Sequence, residues 1–254
     1  MQIRFKIYQF TLFTYSFDMN DVSIILPLYN EEKNARIVIE QIFASFGQDT
    51  ELVVIDDGST DNTEAEVPKD LCIFLKHKTN QGKGIAIKNG LEKCSKDIVA
   101  FIDGDLQDNP EDLKAVCDLI RNGSDMAIGS RFLDATDSKR FDDKAIKPIN
   151  EFGNRTLTKL INLFFGGKLT DTQASIKAFN TQKLKSLPIY SHRYEIETEL
   201  VVRSLKRKFI ITEYPVFRYD RVNGISNLFD IPFGRIRFAF RAIRVIFLGL
   251  IVWD

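Results

Sequence analysis

Three aspartates, Asp103, Asp105 and Asp108, follow the apolar run Ala100–Ile102 in the stretch AFIDGDLQDNP. In an extended segment residues two apart face the same way, so Asp103, Asp105 and Gln107 form an oxygen triplet at alternate positions. Such donors suit Mg2+ or Mn2+, which keep several waters and share their remaining sites with substrate phosphates. Gly104 lets the backbone bend between the two carboxylates. The competing reading is punctuation, because Asp and Gly are ordinary turn residues. A second acidic pair, Asp56 and Asp57 in VVIDDGSTD, has the same two readings. It is either an Asx-capped turn or a strand-tip carboxylate that bonds a base or ribose. NQGKG, Asn80 to Gly84, resembles a phosphate cradle without the Walker spacing, and its Lys83 is equally read as solvated surface.

These clusters need elements to hold them. VSIILP, ELVVID, LCIFLK, DIVAFID and DMAIGS read as short, β-branched, buried strands. Helical stretches lie between them. EEKNARIVIEQIFASF turns Ile37, Ile39, Ile42, Phe43 and Phe46 inward and is closed by Gly47. Ser59 or Thr60 is placed to cap a further helix. GKGIAIKNGLEKC follows a glycine-rich entry, and NPEDLKAVCDLIRN carries Pro110 in its first turn. Alternation of this kind predicts an α/β domain with a mostly parallel, doubly wound sheet. Ligands bind such sheets outside the carboxyl ends of the strands, where the polar clusters fall. Beyond Arg131 the charged stretch LDATDSKRFDDKA reads as a loop, IKPINEFGNRTLTKLINLFFGG and YEIETELVVRSLKRK as helices, and FIITEYPVFRY as a strand pair or bent strand.

The bulk composition narrows the class. In 254 residues Lys+Arg and Asp+Glu balance at 35 each, so no global field argues for nucleic acid. Three dispersed cysteines, Cys72, Cys94 and Cys117, form neither a disulfide framework nor a zinc spacing and read as buried small groups in a reducing compartment. His77 and His192 are too few for a histidine metal site. No run reaches the roughly 18 apolar residues that span a bilayer. Residues 1–20 read as an N-terminal extension ahead of a domain beginning near Met19, residues 21–230 as the main α/β domain, and 231–254 as an amphipathic C-terminal helix.

SIILPLYNEE, VVIDDGSTDNT, NQGKGIAIKNG, FIDGDLQDNPED and AIGSRF, in this order and spacing, resemble family 2 glycosyltransferases. Within that family the chain is similar to the polyprenyl-phosphate sugar transferases, the dolichyl-phosphate mannose and glucose synthases. The resemblance implies a GT-A nucleotide-sugar-binding fold and transfer of a hexose from UDP-glucose or GDP-mannose to a polyprenyl phosphate. It implies Asp103, Asp105 and Gln107 as ligands of Mg2+ or Mn2+. By the same resemblance Pro27, Tyr29, Glu31 and Asp56 line the nucleotide with Asp57 close by, and Asp171 and Gln173 of DTQASIKAF lie near donor sugar and acceptor. Arg221 and Ser226 of DRVNGISN would bind phosphate. The chain has Ser175 where the family usually has Gly and Asn227 where it usually has Lys. The Q-x-x-R-W of processive synthases is absent, the only tryptophan being Trp253. The remaining alternatives are transfer to a soluble or protein-linked sugar and an inactive nucleotide-sugar-binding protein.

A phosphate acceptor changes what catalysis demands. With a second pKa of about 6 it is already mostly anionic at neutral pH. Positioned cations therefore matter more than a base. Arg131, Arg155 and Arg221 are candidates to clamp it bidentately, each with an alternative as a surface ion pair. If a base is used, Asp171 comes first, then Glu195 or Glu197. A lipid acceptor also predicts a membrane-facing surface at the cytoplasmic face. On a helix of 100° per residue Ile236, Ala239, Phe240, Ile243, Ile246, Phe247 and Leu250 share one face and Arg237, Arg241 and Arg244 the opposite one, as in an interfacial helix. The other reading is a helix packed on the sheet.

Overall fold

The computed structural model describes residues 19–133, 148–221 and 233–253. Residues 1–18 of the N-terminal extension, most of the charged loop after Arg131, and Ser226 with Asn227 lie outside them.

β1 (Val22–Leu28), β2 (Glu51–Asp56), β3 (Ile73–Lys76), β4 (Ile98–Phe101), β5 (Met126–Ser130), β6 (Lys177–Asn180) and β7 (Ile211–Pro215) form one sheet in the order β3-β2-β1-β4-β6-β5-β7. Six strands are parallel where they pair with one another, and β6 runs antiparallel between β4 and β5. The five predicted strands are present. The inserted β6 was legible only as an extended end of DTQASIKAFN, because its four residues carry no period of their own. FIITEYPVFRY is a single strand, not a pair.

Alternation along the strands sends side chains to two cores. Ile24 and Leu26 of β1 point to one core with Val54 and Ala100, under α1 (Ala35–Phe46) and α3 (Pro110–Arg121). Ile25 points to the other with Val53, Ile55 and Phe101, under α2 (Lys83–Leu91), α4 (Pro148–Phe165), α6 (Ile196–Lys206) and α7 (Gly234–Ile251). A short α5 (Thr181–Lys185) follows β6. α1 buries Ala35, Val38, Ile39, Ile42, Phe43 and Phe46, the spacing of one helical face, and ends at Gly47 with φ 96°. Ile37, expected inward, is exposed because Val38 holds the inward position beside Ile39. Asn109 caps α3 by accepting from the Glu111 N–H, and Pro110 opens its first turn. After β2 no α-helix follows Ser59 and Thr60. A 3₁₀ turn over Thr63–Glu66 stands there instead, and both residues bond Asn30. Cys94 and Cys117 are buried, but Cys72 only partly, since it precedes an edge strand.

Candidate active site

The exits of β1 and β2 are stitched together. Asn30, in the left-handed region at φ 55°, donates its N–H to Ser59 Oγ at 2.9 Å, and its side-chain oxygen accepts from the Thr60 N–H at 2.8 Å. The Glu31 N–H donates to Thr63 Oγ1 at 2.8 Å. This seam holds Pro27 and Tyr29, both half-buried, beside the end of β2. Glu31 is buried, and that burial lifts its carboxyl to about 7 even though Asn34 donates to it and Arg221 faces it. Asp56 is fully buried at the tip of β2. Its Oδ1 accepts from the Ser59 N–H at 2.8 Å, while Oδ2 is buried with no hydrogen-bond partner among the described residues. A bare carboxylate oxygen in such a place is costly unless a ligand donor meets it.

Asp57 is different. Its Oδ1 bonds His77 Nδ1 at 2.6 Å and the Gln81 N–H at 2.9 Å, and its Oδ2 accepts from the Gly82 N–H at 2.7 Å. Asn89 closes the chain on His77 Nε2 at 3.0 Å. Asp57 therefore holds the segment leading into α2. That segment is not the phosphate cradle its glycines suggest. A Cβ on Gly82 would stand 2.4 Å from the His192 carbonyl, and one on Gly84 2.2 Å from the Ser191 carbonyl, so both glycines admit the backbone ahead of α6. Nor is Lys83 solvated: its Nζ lies 2.6 Å from Asp103 and 2.7 Å from Glu197. Glu197 reaches Lys177 with its other oxygen at 2.5 Å. Asp103, Lys83, Glu197 and Lys177 thus form a row of alternating sign that runs from a partly exposed end at Asp103 into the buried interior at Lys177. Burial alone would depress Lys83, but the two facing carboxylates push it up. Lys177 has no exposed surface, and burial brings it down.

β4 ends at Phe101, so Asp103–Gln107 is a turn and not an extended run, with Leu106 at φ 59°. The alternate-residue triplet does not hold in that geometry. Burial pushes the Asp103 carboxyl up, yet Lys83 outweighs it and leaves the group below the usual range. Asp105 Oδ2 faces Arg221 Nη2 at 2.7 Å. Gln107 instead spends its amide on two other partners, its oxygen accepting from Arg218 Nη2 at 2.9 Å and its nitrogen donating to the Tyr219 carbonyl at 3.1 Å. Arg218, which the sequence reading did not single out, also lies 3.3 Å from Asp108 Oδ1 and 3.3 Å from Ser175 Oγ. Its position three residues before Arg221 was the available signal. Tyr194 is a further addition, its hydroxyl pushed up to about 12 by burial and the neighbouring Asp103.

Arg131 and Asp171, expected separately, meet each other. Arg131 Nε and Nη2 donate to the two Asp171 oxygens at 2.6 and 2.9 Å, a bidentate pair. Burial raises the Asp171 carboxyl, but Arg131 and two backbone N–H groups bring it below its ordinary value. Gln173 bonds Thr172 and Thr198. Arg155 is half-exposed on α4, paired with Glu151 and stacked over the Phe132 ring at 4.3 Å. Glu195, one alternative base, keeps Oε2 buried and without a partner among the described residues; Glu197, the other, has both oxygens in ion pairs.

Comparison with known proteins gives the family. A family model described as Glycosyl transferase family 2 matches residues 23–187. The chain is 31% identical over 230 residues to the uncharacterized protein MJ1222 of Methanocaldococcus jannaschii, covering 84% of this chain and 91% of that one. It is 30% identical over 219 residues to a UDP-N-acetylglucosamine–dolichyl-phosphate N-acetylglucosaminyltransferase of Methanococcus voltae, covering 77% and 84%. Among solved structures, glucosyl-3-phosphoglycerate synthase of Mycobacterium tuberculosis, in complex with Mn2+, UDP and phosphoglyceric acid, superposes with a TM-score of 0.70 at 21% identity, covering 92% of this chain and 80% of that one. That likeness shows the GT-A fold, and the sequence matches show that this chain belongs to glycosyl transferase family 2.

Proposed function

We propose that this glycosyltransferase moves a hexose, with inversion and with a divalent metal, from a nucleotide diphosphate to a polyprenyl or dolichyl phosphate at the cytoplasmic face of a membrane. The observation that carries it is the convergence of Asp56, with its bare buried oxygen, and the carboxylates Asp103 and Asp105 outside the carboxyl ends of β2 and β4. The printed activity of the Methanococcus voltae relative supports a lipid-phosphate acceptor.

Among the described residues no three His, Cys, Asp or Glu side chains group to hold a metal. Mg2+ asks for less, since one or two carboxylates suffice when waters and substrate phosphates fill the remaining sites. Asp103 and Asp105 are hard oxygen donors, and each already faces a cation, Lys83 and Arg221. They fit. When bound there, the metal supplies Lewis-acid neutralisation of the leaving diphosphate. The chain does the rest. Asp56 Oδ2 accepts a hydrogen bond from the base or ribose. Lys83 and Glu197 hold Asp103 in place. Arg131, fixed in direction by Asp171, and Arg221 meet the acceptor phosphate. Asp171 holds Arg131 with both oxygens and is a weak base with a lowered pKa, which suits an acceptor that arrives as an anion.

The test is a transfer assay with purified protein, short-chain polyprenyl phosphate and Mg2+ or Mn2+, offering labelled UDP-glucose, GDP-mannose or UDP-N-acetylglucosamine. Label in the lipid with one donor, lost in Asp105→Ala, is the expected result. A protein that binds a nucleotide sugar but labels no lipid phosphate overturns the acceptor and favours a soluble one.

A further inference from the structure

We infer that α7, beside α4, is a docking face for an anionic lipid surface. The two helices lie side by side and run the same way. Arg235 of α7 bonds Asn150 at the start of α4, and Gly249 near the end of α7 sits against Phe165 at the end of α4. α7 packs inward with Ala242, Val245, Ile246 and Gly249. Ile246 therefore belongs to the core and not to the outer stripe that the sequence suggests. Outward it leaves Ile236, Phe240, Ile243, Phe247, Leu250 and Ile251 exposed, with Phe240 at 70% and Ile251 at 78%. Arg237, Arg241 and Arg244 are exposed too, and at 100° per residue they flank this stripe on one side of it, between it and the packed face. α7 carries no acidic residue. α4 adds its own exposed apolar residues, Ile149, Phe152 and Leu163.

An apolar stripe edged by arginines matches the boundary between acyl chains and anionic headgroups. No described helix is long and apolar enough to cross a membrane, so α7 would lie in the surface. A second copy of the chain fits less well, because a two-fold interface pairs the stripe with itself and α7, which has no acidic residue, offers its own arginines no anionic partner. The placement also serves the site. The inner side of α4 holds the loop that carries Asp171 and Gln173, through Thr158 to Thr172 at 3.0 Å and Asn162 to both backbone groups of Leu169. α4 thus joins the proposed lipid-facing surface to the loop that carries Asp171. For its purpose the inference rests on the proposed acceptor; its evidence is the surface alone.

The test is co-sedimentation of the full chain with phosphatidylcholine vesicles, with and without phosphatidylglycerol, at low and high salt and without donor or acceptor. Binding is expected to need the anionic lipid and to weaken with salt. It should fall at least tenfold in the double variant Phe240→Ser, Phe247→Ser and in the triple variant Arg237→Gln, Arg241→Gln, Arg244→Gln. Nucleotide binding and circular dichroism should be unchanged in both. Wild-type protein that stays in solution, or variants that bind as well as wild type, overturns the inference. So does a wild-type dimer that the Phe variant dissociates with no change in vesicle binding. A protein that binds vesicles but labels no lipid phosphate keeps this surface and loses the acceptor assignment; the reverse pattern keeps the acceptor and loses the surface.

Discussion

Glu197→Gln is the sharpest probe of the ionic row. The substitution keeps the shape of the side chain and removes the charge between Lys83, at 2.7 Å, and Lys177, at 2.5 Å. Lys83 keeps Asp103. Lys177, without exposed surface, loses its one carboxylate partner among the described residues and keeps the neutral Ala174 carbonyl. Removing one partner of a buried pair costs about 3–5 kcal/mol. The cost has a ceiling, because Lys177 can lose its proton. From an ordinary value of 10.5 that escape costs about 1.4 kcal/mol per pH unit, or roughly 5 kcal/mol at pH 7. Against a total stability of about 5–15 kcal/mol this is a large loss. Its pH dependence has a definite sign. Burial already brings Lys177 below its unfolded value and Glu197 opposes that, so the variant should lower it further; the unfolded chain then binds the extra proton and stability rises with pH towards 10.5. Urea unfolding from pH 6 to 9 measures it, with Lys177→Met and the double variant completing a cycle. The double variant should lose at least about 2 kcal/mol less than the sum of the singles. A loss under about 1 kcal/mol, a flat pH profile or an additive cycle refutes the idea that the row acts as one coupled unit.

Glu31, raised by burial from 4.5 to about 7, makes its most favourable contribution to stability below pH 4.5 and loses it as pH rises through 7. Glu31→Gln should therefore flatten the fall in melting temperature between pH 5 and 8 and be more stable than wild type at pH 8, as thermal unfolding would show. Gly84→Ala should cost about 1–3 kcal/mol, because its Cβ meets the Ser191 carbonyl and backbone must move. Gly153→Ala, in α4 with nothing within 4 Å of the new Cβ, should instead gain about 0.5–1 kcal/mol in the same denaturation assay. Asp57→Asn should lower stability by about 1–3 kcal/mol, since an amide cannot accept from Gly82, Gln81 and His77 together, and the amide N–H of Gly82 should exchange faster.

What the sequence showed and what it hid divide by range. The strands and their polar exits were legible because alternation and β-branched runs are local signals, and five predicted strands place Asp56, Asp103 and Arg131 at one sheet edge. Pairing between distant segments was not. Nothing near Lys83 in the chain announces Asp103 or Glu197, which lie 20 and 114 residues further on. The same holds for Arg131 with Asp171 and for Arg218 with Asp108. The glycines of NQGKG misled for a related reason, since their neighbours are backbone atoms more than a hundred residues away. The oxygen triplet failed on a boundary: β4 stops two residues early, and a turn does not keep a strand's alternation.

The arrangement of charge explains why these long-range pairs exist. Asp105 is buried and Asp103 partly so, and two bare carboxylates side by side in such surroundings would repel each other. Each is given a cation from a different element, Lys83 from α2 and Arg221 from beyond β7. The two cations are not equivalent. Lys83 is itself pinned by Glu197, which is pinned by Lys177, so Asp103 is braced from the core outward. Arg221 stands at the other edge, with Glu31 and Asp105 as its carboxylate partners. One carboxylate braced through a row of charges reaching the core, and the other held by an arginine that it shares with Glu31, is how two acids come to stand close together at one sheet edge.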